Sequence, residues 1–283
     1  MPSKKPRART TLSEEQKREV IDLAVAAGIR AYRSEATKHQ KEIYDKRLHN
    51  TKLLMRNYRS LKEHSENAVF DAATAVKLVA FRGKAMEEAA AGRESAMMAV
   101  LNLDRAPLQE CCDAASDLGC VVICNYNCPG QLVIGGEKAA VEKAAALAKE
   151  KGARRCLPLK VSGPFHTPLM APAGDALRAY FQGVDFAQPR IPVLFNCLGD
   201  VKDSSASIQD LLVKQVQSSV FMEDSIRKMA DMGVDAIVEI GPGKALSGFV
   251  KKTVPGFPVC AVETADDVEN LPQTLEQLTK ENA

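Results

Sequence analysis

The chain has 283 residues, 46% hydrophobic and 26% charged, a balance that excludes a disordered or fibrous protein and suffices for one large core or two smaller ones. Its formal net charge of +2 is unevenly spread: residues 1–70 hold 16 Lys and Arg against 9 Asp and Glu, and the remainder holds 22 against 27. No run approaches the ~20 apolar residues of a membrane span, and MPSKKPRARTTL at the start is basic, so a cytoplasmic protein with no membrane partner is expected.

Residues 1–12 are basic and proline-containing, which predicts a disordered arm. Ser13-Glu14-Glu15-Gln16 is a capping-box pattern, and Val20, Leu23, Ala24 and Ala27 follow at helical spacing until Gly28. From Ser34 to Ala73 there is neither Pro nor Gly, and Ile43, Leu48, Leu53, Leu54, Tyr58, Leu61 and Val69 are thinly scattered among charges. That pattern predicts exposed helix needing a partner. With Tyr32, Tyr44 and Tyr58 interleaved among the basic residues, nucleic acid is a candidate partner for residues 1–72. Near Ala72 the charge thins and Ala, Val and Gly rise, which marks a boundary.

Val76 to Ala91 reads as a helix. Residues 97–160 then alternate strand and helix signals: MMAVLNL, the helical APLQECCDAASD, GCVVICNY, a turn at Asn127-Cys128-Pro129-Gly130, GQLVIGG, the alanine-rich EKAAVEKAAALAKEKG, and ARRCLPLKV. The order βαββαβ is that of a ferredoxin-like split unit, expected to close on itself as a four-stranded antiparallel sheet. Beyond Val161 a helix over about 170–182, a strand at 191–197, a helix over about 207–231 and strands at 236–241 and 257–263 predict a parallel α/β sheet.

The eight cysteines include no CxxC pair and read as buried reduced thiols, with no metal site expected. Histidine is scarce, and His166 is the only one after residue 64. It lies in VSGPFHTPLM, on a rigid loop after a strand, where an imidazole titrating near neutrality is well placed for general-base work. EIGPGKAL has Gly241 and Gly243 between strand and helix; its spacing fits neither a dinucleotide fingerprint nor a phosphate loop, and a turn needing positive φ accounts for both glycines.

In sequence order, VKLVAFRGKAM, NYNCPGQLVIGG, VSGPFHTPLM and VEIGPGKALSG resemble the malonyl-CoA:acyl carrier protein transacylases and the related polyketide acyltransferases. The resemblance implies an α/β-hydrolase-like large subdomain, here incomplete and formed by residues 73–96 and 161–283, into which the ferredoxin-like residues 97–160 are inserted. It implies that Arg82 pairs with the free carboxylate of the malonyl group, that His166 is the catalytic base, and that the backbone carbonyl of Gln215 orients it. It further implies that Asn127 and Phe165 border the substrate, that malonyl-CoA and acyl carrier protein are the partners, and that no cofactor is used. Arg82, on the helix entering the small subdomain, and His166, on the loop leaving it, are expected to face one cleft.

The family's nucleophile is a serine in a GHSxGE elbow, and no GHSxG or GxSxG occurs in this sequence. The family's spacing would put that serine near Asn57. Ser65, in Glu63-His64-Ser65-Glu66, lacks the glycines of an elbow and is not expected to replace it. The expectation is a chain that keeps a base and a carboxylate clamp but performs no turnover.

Overall fold

The computed structural model describes Phe70 and residues 72–280 except 190. The expected disordered arm, the basic helices before residue 70, the candidate nucleic-acid partner and Ser65 lie outside the described residues.

Helix α1 (Ala72–Ala90) leads into β1 (Ser95–Leu101), α2 (Arg105–Ala115), β2 (Val121–Cys128), β3 (Gln131–Glu137), α3 (Lys138–Glu150) and β4 (Arg155–Pro158). The strands pair antiparallel in the order β4-β1-β3-β2. Alternation along the strands divides the sheet's side chains between two faces. Val100, Ile123, Leu132 and Ile134 join Leu108, Cys111 and Cys112 of α2 and Val141, Ala144 and Ala148 of α3 in one core. Met97, Cys124 and Val133 point the other way, toward Phe165. Pro129 and Gly130 close the β2–β3 hairpin, and Gly130 supplies the positive φ of 70° that its second turn position demands.

This sheet does not close on itself as expected. A fifth strand, β7 (Val220–Phe221), runs parallel to β2 at Asn125 and Tyr126. That pairing also divides the helix expected over 207–231 into α5 (Ile208–Gln217) and α6 (Met222–Asp231). The Ser219 hydroxyl donates to the Ile123 carbonyl at 2.7 Å, and β-branched Val220 takes its place at the sheet edge. Tertiary pairing thus overrides an uninterrupted helical pattern.

The two elements are tied further by Arg105, in the first turn of α2. Its guanidinium forks onto Asp224 at 3.0 and 2.9 Å, reaches Glu223 at 3.0 Å and lies 4.8 Å over the Tyr126 ring, which stacks on Phe221. Glu223 and Asp224 also stand in the first turn of α6, where carboxylates complement the helix dipole.

A second core joins α1 to α4 (Ala171–Phe181) and α5 through Met86, Ala89, Met170, Leu177, Phe181, Val213 and Val216. The single parallel sheet expected beyond residue 161 is not found among the described residues. Of the segment 191–197 only β5 (Leu194–Phe195) is strand, and it pairs antiparallel with β6 (Asp200–Val201). Pro192, which has no N–H to give a ladder, precedes it. Apart from the β2–β7 contact, the parallel pairing among the described residues is that of β8 (Ile237–Ile240) with β9 (Val259–Val262), joined by α7 (Ala245–Thr253). Helix α8 (Ala265–Lys280) has no counterpart in the sequence reading and carries Pro272 in its interior. No helix among the described residues is long and apolar enough to cross a membrane.

Ile134 is fully buried where β3 meets α2 and α3. Ile134→Ala should lower the unfolding free energy by about 2–5 kcal/mol in a denaturant titration. A loss below about 1 kcal/mol would mean that this core is not packed as described.

Candidate active site

The loop bearing His166 is seated by the sheet's second face. A side chain at Gly135 would come within 3.1 Å of Cys124 Sγ, 3.2 Å of Met97 Cγ and 3.3 Å of Thr167 Cγ2. The bare glycine lets fully buried Thr167 rest on the strand, and the Thr167 hydroxyl donates to the Pro164 carbonyl at 2.6 Å. Phe165 packs on Met97, Cys124 and Val133 on one side and on the α1–α4–α5 core on the other. Gly163 passes so close to α1 that a Cβ would lie 2.5 Å from Ala90 Cβ.

Between these anchors His166 takes a φ of 61°, in the left-handed region that few non-glycine residues adopt, histidine being among the more tolerant. Its Nδ1 lies 3.1 Å from the Gln215 carbonyl oxygen. A carbonyl only accepts, so Nδ1 carries the proton and Nε2 keeps its lone pair. Gln215 stands in the last turn of α5, where backbone carbonyls have no partner within the helix. The histidine satisfies one of them, and the negative end of the helix dipole favours a positive charge on the ring. The carbonyl meets Nδ1 as the carboxylate of a Ser-His-Asp triad would, but carries no full charge.

Arg82 lies on the buried side of α1, near Ala85 and Met86, and its Nε is buried without a hydrogen-bond partner. Burial pushes its pKa below the ordinary guanidinium value. A buried N–H with no acceptor is costly, and a carboxylate is the group that best relieves that cost, since it can take two parallel hydrogen bonds. Arg82 is also close enough for its charge to act on His166. Burial is the main cause that lowers the histidine's pKa, Arg82 lowers it further, and the Gln215 carbonyl opposes both.

Asn127 is half-buried near the hairpin end of β2, and no hydrogen bond joins it to His166 or Arg82. The glycines of EIGPGKAL have φ of 134° and 94°. The first amides of α7 are already occupied: the Glu239 carboxylate accepts from Leu246 N at 3.0 Å and from Ser247 N and Oγ at 2.7 Å. A phosphate would have to displace it. The thiols offer no substitute for a serine, because burial raises the pKa of all eight, Cys112 and Cys124 to about 12. Sequence reasoning missed Gly135 and Thr167, although a glycine in the middle of an apolar strand is a sign of close approach.

The site thus combines a histidine held by a backbone carbonyl with a nearby arginine whose buried Nε has no hydrogen-bond partner. Residues 63–279 match the family model described as acyl transferase domain, and the chain belongs to that family. Its relatives include the malonyl CoA-acyl carrier protein transacylases of Bacillus subtilis, 42% identical over 204 residues, and of Escherichia coli K12, 42% identical over 194. These alignments cover 72% and 69% of this chain and 64% and 63% of the relatives, so the chain spans less than two-thirds of either relative's length. The malonyl transacylase of Streptococcus pneumoniae superposes with a TM-score of 0.69 at 42% identity, covering 75% of this chain and 68% of that one. A malonyl-transacylase solved with a type II polyketide acyl-carrier protein gives 0.70 at 36% identity, covering 75% and 67%.

An NMR titration should place the His166 pKa below its ordinary 6.5. Removing the arginine charge in Arg82→Gln should raise it. The unfolded chain binds this proton more readily than the native one, so the ring's contribution to stability is full above pH 6.5. It falls as the pH drops from there to the native pKa and then levels off. A His166 pKa above 6.5 would contradict the burial described.

Proposed function

We propose that the described residues form the base and carboxylate-binding half of a malonyl-CoA:acyl carrier protein transacylase site. The observation that carries this reading is the pairing of the His166–Gln215 bond with the buried, unpartnered Nε of Arg82. In it, Arg82 holds the malonyl carboxylate, and Phe165 and Asn127 border the acyl chain. Nε2 of His166 takes the proton from an attacking hydroxyl and later returns it to the leaving thiol. The malonyl group would pass from CoA to a serine and then to the phosphopantetheine thiol of acyl carrier protein. The relative solved with an acyl-carrier protein supports that partner.

The strand order β4-β1-β3-β2, with α2 and α3 on one face, supports a ferredoxin-like small subdomain. The helices and short sheets outside it support an incomplete α/β-hydrolase-like large one. Because this sequence contains no GHSxGE elbow, the chain alone binds malonyl-CoA and forms no acyl-enzyme.

Radiolabelled malonyl-CoA should therefore leave no covalent label on the purified chain, and stoichiometric label at any serine, Ser65 included, would overturn that view. Calorimetry should show malonyl-CoA binding more tightly than acetyl-CoA. Arg82→Gln should weaken malonyl-CoA about tenfold or more while leaving acetyl-CoA unchanged, as expected for a lost charge-assisted pair. Equal weakening of both ligands would remove Arg82 from the carboxylate.

A further inference from the structure

Gln215 presents two groups in different directions. Its carbonyl accepts from His166, while its side-chain Nε2 donates to Asn196 Oδ1 at 3.1 Å. Asn196 is itself fixed, because its backbone carbonyl accepts from Phe221 N at 2.7 Å. The turn that follows it is closed by Leu198 N and Gly199 N, both donating to the Phe195 carbonyl at 2.8 and 2.9 Å. Gly199, with a φ of 70°, lets this turn lie directly against the start of α6. A Cβ there would meet Asp224 Cβ at 2.7 Å and Phe221 Cβ at 3.0 Å. One asparagine thus links the β5–β6 hairpin, the β7–α6 junction and the last turn of α5.

That last turn is where a helix frays, and Gln215 is the third residue from its end. A hydrogen bond weakens steeply with misalignment, so a carbonyl on a fraying turn would hold the imidazole poorly.

We propose that Asn196 is a positioning residue for His166: by gripping the Gln215 amide it steadies the carbonyl that keeps the ring in its Nδ1–H tautomer, with Nε2 free to act. The proposal rests on the reading of His166 as the base, but it is tested without turnover. Asn196 touches no reacting atom in this scheme; it acts through Gln215.

The test is nitrogen-15 NMR of the histidine-labelled full chain at pH 8, where the His166 ring is neutral, with His166→Gln identifying its signals among the four histidines. The parent chain should show the Nδ1–H tautomer predominating. Asn196→Ala should bring in the Nε2–H form and speed exchange of the Nδ1 proton with solvent about tenfold, on the scale of one lost hydrogen bond. Asn196→Asp keeps an acceptor for Gln215 Nε2 and should restore the parent signature. Gln215→Met keeps the backbone carbonyl, removes the amide, and should reproduce Asn196→Ala, with the double variant no worse than either single one.

An unchanged His166 spectrum in both Asn196→Ala and Gln215→Met overturns the proposal and leaves His166 free to be the base. If Asn196→Ala fails to fold, Gln215→Met decides alone: a parent-like spectrum overturns the proposal and an altered tautomer upholds it. A failure of malonyl-CoA to bind would count against the transacylase reading and leave the tautomer result standing.

Discussion

The bond from His166 Nδ1 to the Gln215 carbonyl requires two segments 49 residues apart to meet within 3.1 Å, and much of the described architecture serves that meeting. On the histidine side, the loop is pressed onto the sheet at bare Gly135 and pinned by Phe165 between two cores. On the carbonyl side, α5 ends at Gln217 because Val220 and Phe221 leave the helical path to pair with β2. Had α5 run on unbroken, the carbonyl of Gln215 would have been taken by an N–H four residues later. The fifth strand therefore frees the acceptor that the histidine uses.

The same junction joins the two halves of the described body. Arg105 clamps the start of α2 to the start of α6, and β7 lengthens the sheet by one strand. An ion pair of this kind is worth little at an exposed site, but Glu223 is largely buried and shared by Arg105 and Arg227, so each carboxylate oxygen has a charged donor. Placing the His166 loop on one face of the sheet and the end of α5 at its edge makes the site depend on this junction as much as on its own side chains.

Charge is arranged so that the histidine starts neutral. Burial and the nearby Arg82 disfavour the imidazolium, while the helix end and its carbonyl favour it. A base needs both tendencies: a free lone pair at rest and tolerance of the proton once taken. Arg82 serves the second purpose only when its own charge is met by a carboxylate. In the proposed site, a carboxylate held by Arg82 would thereby raise the proton affinity of His166.

The sequence by itself determined the alternation βαββαβ over residues 97–160, because strand and helix periods in that stretch are strong, short and separated by Gly and Pro turns. It singled out His166 by its loop position, while Arg82, Asn127, Phe165 and Gln215 became candidates only through the resemblance of their motifs to the acyltransferases. Only the tertiary structure decided that Val220 and Phe221 are strand rather than helix, since their partners Asn125 and Tyr126 lie 95 residues away and a local pattern holds no record of them. The same holds for Asn196, whose hydrogen bond to Gln215 spans 19 residues and belongs to no local period. The tautomer of His166 was likewise decided by the fold, because it follows from which group faces Nδ1. That group is a backbone carbonyl, which every residue possesses and which becomes available only where a helix ends.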